Sequence, residues 1–106
     1  MPYNPILIAN YFINKSKEES VVLTPMKLVK LVYIAHGWTL ALRDRELLTE
    51  SVEAWQYGPV LPSVYHAFKQ YGSGQIKELA LPGNNDFDRI DSDTREVLDA
   101  VWDAYR

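Results

Sequence analysis

His36 and His66, the only histidines of this 106-residue sequence, together with Ser63 and a scattering of carboxylates, are the side chains whose types and spacing come nearest to bond-making chemistry. His36 and His66 share no ligand spacing with the carboxylates, and a zinc site needs three or four ligands. Asp86-x-Asp88 opens like a calcium loop, but Ile90 falls at the third ligand position and the turn glycine is missing. Gly72 and Gly74 lack the lysine and preceding strand of a phosphate loop. Ser63 stands one helical turn before His66, close enough for a nucleophile and base, yet no residue supplies an orienting group or an oxyanion site. Glu53 beside Trp55 is a lone carboxylate. No metal, no cofactor and no catalytic residue is expected; a small hydrolase using Ser63, His66 or Glu53 is the weakest of the functional classes.

The elements that would carry these residues are mainly helical. Asn4 caps a first helix with Pro5 at its first position. That helix carries Ile6, Ile8, Ala9, Phe12 and Ile13 and ends near Asn14, with residues 15–20 as a polar loop or frayed end. Thr24-Pro25 repeats the signal and opens a long second helix. There Leu28, Leu31, Val32, Ala35 and Trp38 recur every three or four residues, and Val29, Ile34 and Leu42 widen the face. A helix this apolar all round belongs at the centre, with His36 held in it as a satisfied imidazole.

Residues 47–49 and 52–57 read as two short strands around Glu50-Ser51, ended by Gly58-Pro59 and needing helices to lie against. Pro62 opens a third helix with Val64, Tyr65, Ala67, Phe68 and Tyr71, and the Gly-Ser-Gly at 72–74 stops it. Residues 77–80 form a turn or short strand, and residues 82–91 an acidic loop. A last helix starts from Asp93 and Glu96 in capping-box spacing and carries Val97, Leu98, Val101, Trp102 and Tyr105 on one face. The fold class is therefore mainly α, four helices with one β-hairpin, in a single domain over residues 1–106. The last helix runs to Arg106 with no stop signal, which suggests a domain truncated at its C-terminus.

Composition narrows the function classes. Eleven Lys and Arg against fourteen Asp and Glu give a net charge of −3, the wrong sign for gripping nucleic-acid phosphates. Residues 1–77 carry +2 and residues 78–106 carry −5, so the acidic third could face a basic partner or only solvent. There is no cysteine, hence no disulfide framework and no thiolate chemistry. No signal peptide or membrane span is evident, which points to a soluble cytoplasmic protein. Aromatic residues crowd the centre of the chain (Trp38, Trp55, Tyr57, Tyr65) and suit either packing or an interface. Binding module therefore ranks above enzyme.

Two strings go further: TPMKLVKLVYIAHGWTLAL at residues 24–42 and ESVEAWQYGPVLPSVYHAFKQYGSGQI at residues 50–76. Together with the ANYF of the first helix they resemble the SocA-like antitoxin domain, also called Panacea, found in phage-associated GepA-type proteins. The resemblance implies a mostly helical domain with a small hairpin, the antitoxin half of a toxin–antitoxin pair. It implies a cognate protein toxin as partner, neutralised by direct contact or by delivery to an ATP-dependent protease. Many such proteins carry an N-terminal DNA-binding segment and continue past the position of Arg106. This chain begins at the first helix, so nucleic acid is not an expected partner. The alternative is a phage or mobile-element adaptor without a toxin, and homo-oligomerisation stays open. The candidate partner-binding residues are Lys27, Lys30, Trp55, Gln56, Tyr57 and Tyr65. Trp38, Gly58, Pro59 and Pro62 form the structural part of the motif. Trp55 and Tyr57 share strand parity and would face one side of the hairpin, as core if that side packs on the second helix.

Overall fold

A computed structural model describes residues 2–56, 58–72, 74–76 and 86–106. Tyr57, residues 77–80 and residues 82–85 of the expected acidic loop lie outside the described residues. Helices α1 (Pro5–Glu19), α2 (Pro25–Arg43), α3 (Pro62–Phe68) and α4 (Ser92–Tyr105) surround one core. A two-stranded hairpin, β1 (Glu53–Trp55) and β2 (Gly58–Val60), sits between α2 and α3 in the chain. Short 3-10 turns at Lys69–Tyr71 and Phe87–Arg89 extend α3 and precede α4.

The Asn4 carboxamide accepts the Ile6 N–H at 2.8 Å and starts α1. The helix does not end near Asn14 but runs on to Glu19. Its polar last turns are held by tertiary partners that local composition does not show. Ser16 is buried and donates to the Ile13 carbonyl at 2.6 Å. Lys15 meets Asp99 of α4 at 3.0 Å, and Glu19 accepts the Trp102 indole N–H at 3.0 Å. Ser20, in the left-handed region at φ 57°, stops it.

Helix α2 begins as its sequence dictates, with the Thr24 hydroxyl accepting the Lys27 N–H at 3.3 Å. It packs against α1, α3, α4 and β2. Leu28, Leu31, Val32 and Ala35 are fully buried. Thr39 is buried as well, its hydroxyl returned to the Ala35 carbonyl at 2.8 Å. Leu42 does not widen this face: it is 59% exposed, and Met26, Tyr33 and Leu40 are exposed with it. Three neighbouring helices cover only part of a helix that is apolar nearly all round.

The strands fall differently from the sequence expectation. Residues 47–49 pair in parallel with Tyr3, whose N–H donates to the Leu47 carbonyl at 2.7 Å and whose carbonyl accepts the Thr49 N–H at 2.9 Å. Trp55 is paired with Gly58, so Gly58-Pro59 is the hairpin's second strand rather than its end. Gly58 sits opposite Trp55 at φ +116°, a conformation L side chains rarely adopt, which lets the chain enter β2 directly from a tight turn. Pro59 lies opposite Ala54 in an edge strand, where a missing N–H is tolerated.

Helix α4 is capped by Asp91, not through a box of Asp93 and Glu96. The Asp91 carboxylate accepts the Thr94 N–H at 2.8 Å and the Tyr3 hydroxyl at 2.7 Å, and Arg45 approaches at 3.3 Å. Glu96 instead faces Arg43 at 3.4 Å. Val97, Leu98, Val101 and Trp102 are buried, with Trp102 stacked on Phe12 at 6.4 Å between centroids. Tyr105 leaves this face; it is exposed and meets Trp38 edge to face at 5.9 Å. Three carboxylates of the acidic third, Asp91, Glu96 and Asp99, thus face the chain's own cations Arg45, Arg43 and Lys15.

Two predictions follow the burial pattern and the cap. Phe12→Ala lowers unfolding stability by about 3–5 kcal/mol in urea titration, whereas Leu42→Ala changes it by less than about 0.5 kcal/mol. For Asp91, partial burial opposes ionisation, but the Thr94 N–H, the Tyr3 and Thr94 hydroxyls and the Arg45 charge together outweigh it and hold the carboxyl at about 2. Its folded-state pKa is depressed, so its contribution is present above the unfolded value near 3.9 and fades as pH falls towards about 2. Asp91→Ala therefore costs about 0.5–2 kcal/mol at neutral pH, and its deficit against the parent shrinks across that acid window.

Candidate partner-binding surface

The hairpin leans on α3 through the Trp55 ring. The Trp55 ring meets Tyr65 edge to face at 5.1 Å and His66 at 6.4 Å, and its indole N–H donates to Glu53 at 2.9 Å. Trp55 is half-buried, with its ring against α3, so it is both a packing residue and an accessible one. The opposite wall of the cleft beside it is α2. Tyr33 of α2 lines a cleft of about 470 Å³ with Val52, Ala54, Trp55, Gly58 and Pro59. Tyr33 and Val52 also line a second cleft of about 310 Å³, which continues past His36 to Glu46, Thr49 and Glu50. The two clefts form one groove between α2 and the segment from Glu46 to Pro59.

Its chemistry is aromatic at one end and acidic at the other. Glu46, Glu50 and Glu53 line it, and His36 supplies the imidazole. His36 is half-buried but not satisfied: its Nδ1 is buried with no hydrogen-bond partner among the described residues. The nearby Glu50 is already engaged, accepting the Ser63 hydroxyl at 2.8 Å and the Ser63 N–H at 3.3 Å. Helix α3 follows Leu61, which has no side chain able to cap, so Glu50, 13 residues before Ser63 in the chain, caps it instead. The Ser63 hydroxyl accordingly donates its hydrogen bond to a carboxylate that anchors the helix, while His66 is exposed and makes ring contacts with Trp55 and Tyr65.

The structure brings together Trp55, Tyr65, Gly58 and Pro59 from the sequence candidates. Gln56 is exposed at the hairpin turn, Pro62 opens α3, and Tyr57 lies outside the described residues. Lys30 is exposed one turn before Tyr33 on the outer face of α2, and Lys27 is half-buried. Trp38 packs elsewhere, against Tyr105. Sequence reasoning passed over Tyr33 and Glu50, and it read His36 as a satisfied imidazole, whereas its Nδ1 has no partner among the described residues and its ring lines the groove. Tyr33 was hidden by the even apolarity of α2, which gave no sign of the side turned outward. Among the described residues no group of three or more His, Asp or Glu could hold a metal ion.

Removing the remote cap tests the role of Glu50. Glu50→Ala and Ser63→Ala each lower stability by about 1 kcal/mol in denaturant titration. The double variant loses less than the sum, because both delete one interaction.

The sequence pattern described as "Antitoxin SocA-like, Panacea domain" matches residues 28–106, from the first turn of α2 to the end of α4. The chain is 35% identical over 74 residues to "Antitoxin SocA" of Caulobacter vibrioides (strain NA1000 / CB15N), an alignment covering 70% of this chain. It spans 39% of the length of that relative. No solved structure matches. Among the described residues no helix is long and apolar enough to cross a membrane. On the extent of the family match, which includes the whole groove and the helix that backs it, the chain belongs to the SocA-like antitoxin family with a Panacea domain.

Proposed function

We propose that this chain is an antitoxin that binds a cognate protein toxin non-covalently and neutralises it. The observation that carries the reading is a Panacea-family chain with a preformed groove whose walls are Tyr33 and Trp55. A groove of this kind suits protein recognition: aromatic side chains supply contact area at low entropic cost, and a polar rim orients the partner. The three glutamates favour a toxin segment that presents Lys or Arg between apolar residues. Ser63 and Glu50 serve α3 rather than a reaction, which supports binding over hydrolysis.

Two routes to neutralisation are compatible with such a surface. Masking covers the toxin for as long as the complex lasts. Delivery to an ATP-dependent protease uses the same surface to present the toxin for degradation. Toxin abundance separates them, steady under masking and falling under delivery.

The experiment is co-expression with the product of the adjacent reading frame, which must be toxic alone. Growth is rescued by the parent chain. Tyr33→Ala and Trp55→Ala, each confirmed folded by circular dichroism, weaken the complex by at least about thirtyfold, the effect of an interface anchor worth roughly 2 kcal/mol. Undiminished rescue and affinity in both variants would exclude the groove, and persistent killing beside folded parent chain would exclude the antitoxin reading.

A further inference from the structure

The two strands of the hairpin have unlike outer edges. In an antiparallel pair, residues that exchange backbone hydrogen bonds alternate with residues whose N–H and C=O point away from the partner strand. Ala54 stands opposite Pro59, which has no N–H, so this pair cannot be of the bonded kind. The bonded positions are the flanking ones, Glu53 with Val60 and Trp55 with Gly58. The backbone N–H and C=O of Ala54 therefore point out from the free edge of β1. On β2 the outward residue is Pro59, whose nitrogen carries no hydrogen, so that edge is closed to a further strand. No such guard stands on β1. Ala54 is exposed, and no backbone hydrogen bond from another described segment reaches it.

The surroundings of this edge select what can be added to it. Ala54 lines the cleft of about 470 Å³ whose far wall is Tyr33, so there is room beside it for an extended chain. Glu53 lines the same cleft, and Glu46 and Glu50 line the adjoining one, whereas no Lys or Arg among the described residues lines either. None of the three glutamates has an ion-pair partner among the described residues. A second copy of this chain would bring its own three glutamates to the same groove, and like charges facing one another across strands repel. A segment with Lys or Arg at alternate positions meets the opposite sign instead. One residue's N–H and C=O make two backbone bonds, which fix the direction and register of an added strand while side chains supply most of the affinity.

We propose that the free edge of β1 takes an extended, Lys- or Arg-bearing segment of the partner as a third strand, paired at Ala54 and aligned by Glu46 and Glu53. The proposal rests on the antitoxin reading of the groove. It names the form in which the toxin is bound there: an extended, backbone-paired segment rather than a helix laid between Tyr33 and Trp55.

The probe is the purified toxic product of the adjacent reading frame, titrated calorimetrically against the full 106-residue chain. Ala54→Pro keeps the fold, because β2 does not use the Ala54 N–H and Glu53 before it is already in a strand. The variant deletes the outward donor and sets a ring at the edge. It weakens binding at least about tenfold, while Ala54→Ser, which keeps the N–H, stays within about twofold of the parent. Glu46→Gln and Glu53→Gln each weaken binding by about threefold, and added salt weakens the parent complex. Amide exchange followed by NMR reads the bond in the parent itself, where the Ala54 N–H slows at least about tenfold in the complex. A parent chain that binds and rescues growth while Ala54→Pro matches Ala54→Ser overturns the added strand and leaves the antitoxin reading in place. An Ala54 amide that exchanges as fast in the complex as in the free chain does the same, and it decides the matter if Ala54→Pro fails to fold. Binding indifferent to salt and to both glutamine variants overturns the basic segment. A parent chain that neither binds nor rescues removes the antitoxin reading and this proposal with it.

Discussion

Helix α2 carries more apolar surface than the rest of this small domain can cover, and the other features of the structure follow from that excess. The described residues offer three further α-helices and a hairpin to cover it. Leu28, Leu31, Val32 and Ala35 take one side of α2 into the core. Covering the remaining side would need another layer. Met26, Tyr33 and Leu40 therefore stay in contact with solvent, in a row that single scattered apolar residues do not form. The groove beside Tyr33 exists because the segment from Glu46 to Pro59 turns back against α2 without closing over it.

What fixes the covered side is a set of polar contacts around an apolar seam. The seam is the Phe12–Trp102 stack with Val97, Leu98 and Val101 around it. Its edges are closed by carboxylates. Asp91 gathers Tyr3, Thr94 and Arg45 at one end of α4. Asp99, midway along, takes the Tyr11 hydroxyl at 2.6 Å and the Lys15 ammonium. Glu19 receives the Trp102 indole and the Arg106 guanidinium at the other end, and these contacts hold its carboxyl below the ordinary glutamate range. Burial, and after it the bond to Asp99, pushes the Tyr11 phenol far above its usual value, so it remains a donor at any physiological pH. These contacts tie segments far apart in sequence, which sets the α1–α2–α4 arrangement as one unit.

Features governed by local rules were legible in the sequence, and features governed by tertiary partners were not. The caps at Asn4 and Thr24, the proline starts of α1, α2 and α3 and the buried face of α4 follow from side-chain chemistry within a few residues. The last turns of α1 were not legible, since Lys15 and Glu19 find their partners on α4, more than 80 residues away. The hairpin was misplaced because residues 47–49 have strand chemistry but pair with Tyr3. The cap of α4 moved to Asp91 because that carboxylate also serves Tyr3 and Arg45, which spacing alone does not reveal. At the candidate surface, Trp55, Tyr65, Gly58 and Pro59 could be singled out by the motif that holds them. Tyr33, His36 and Glu50 needed the fold, which alone decides the outward side of α2 and the remote cap of α3.

The account turns on where a partner covers this chain, and hydroxyl-radical footprinting with and without the co-expressed toxic partner measures that directly. At a fixed, dilute concentration the account predicts that Tyr33 and Trp55 lose their oxidation in the complex while Tyr105 keeps its own. Unchanged oxidation of Tyr33 and Trp55, with protection at Tyr105 instead, would contradict it.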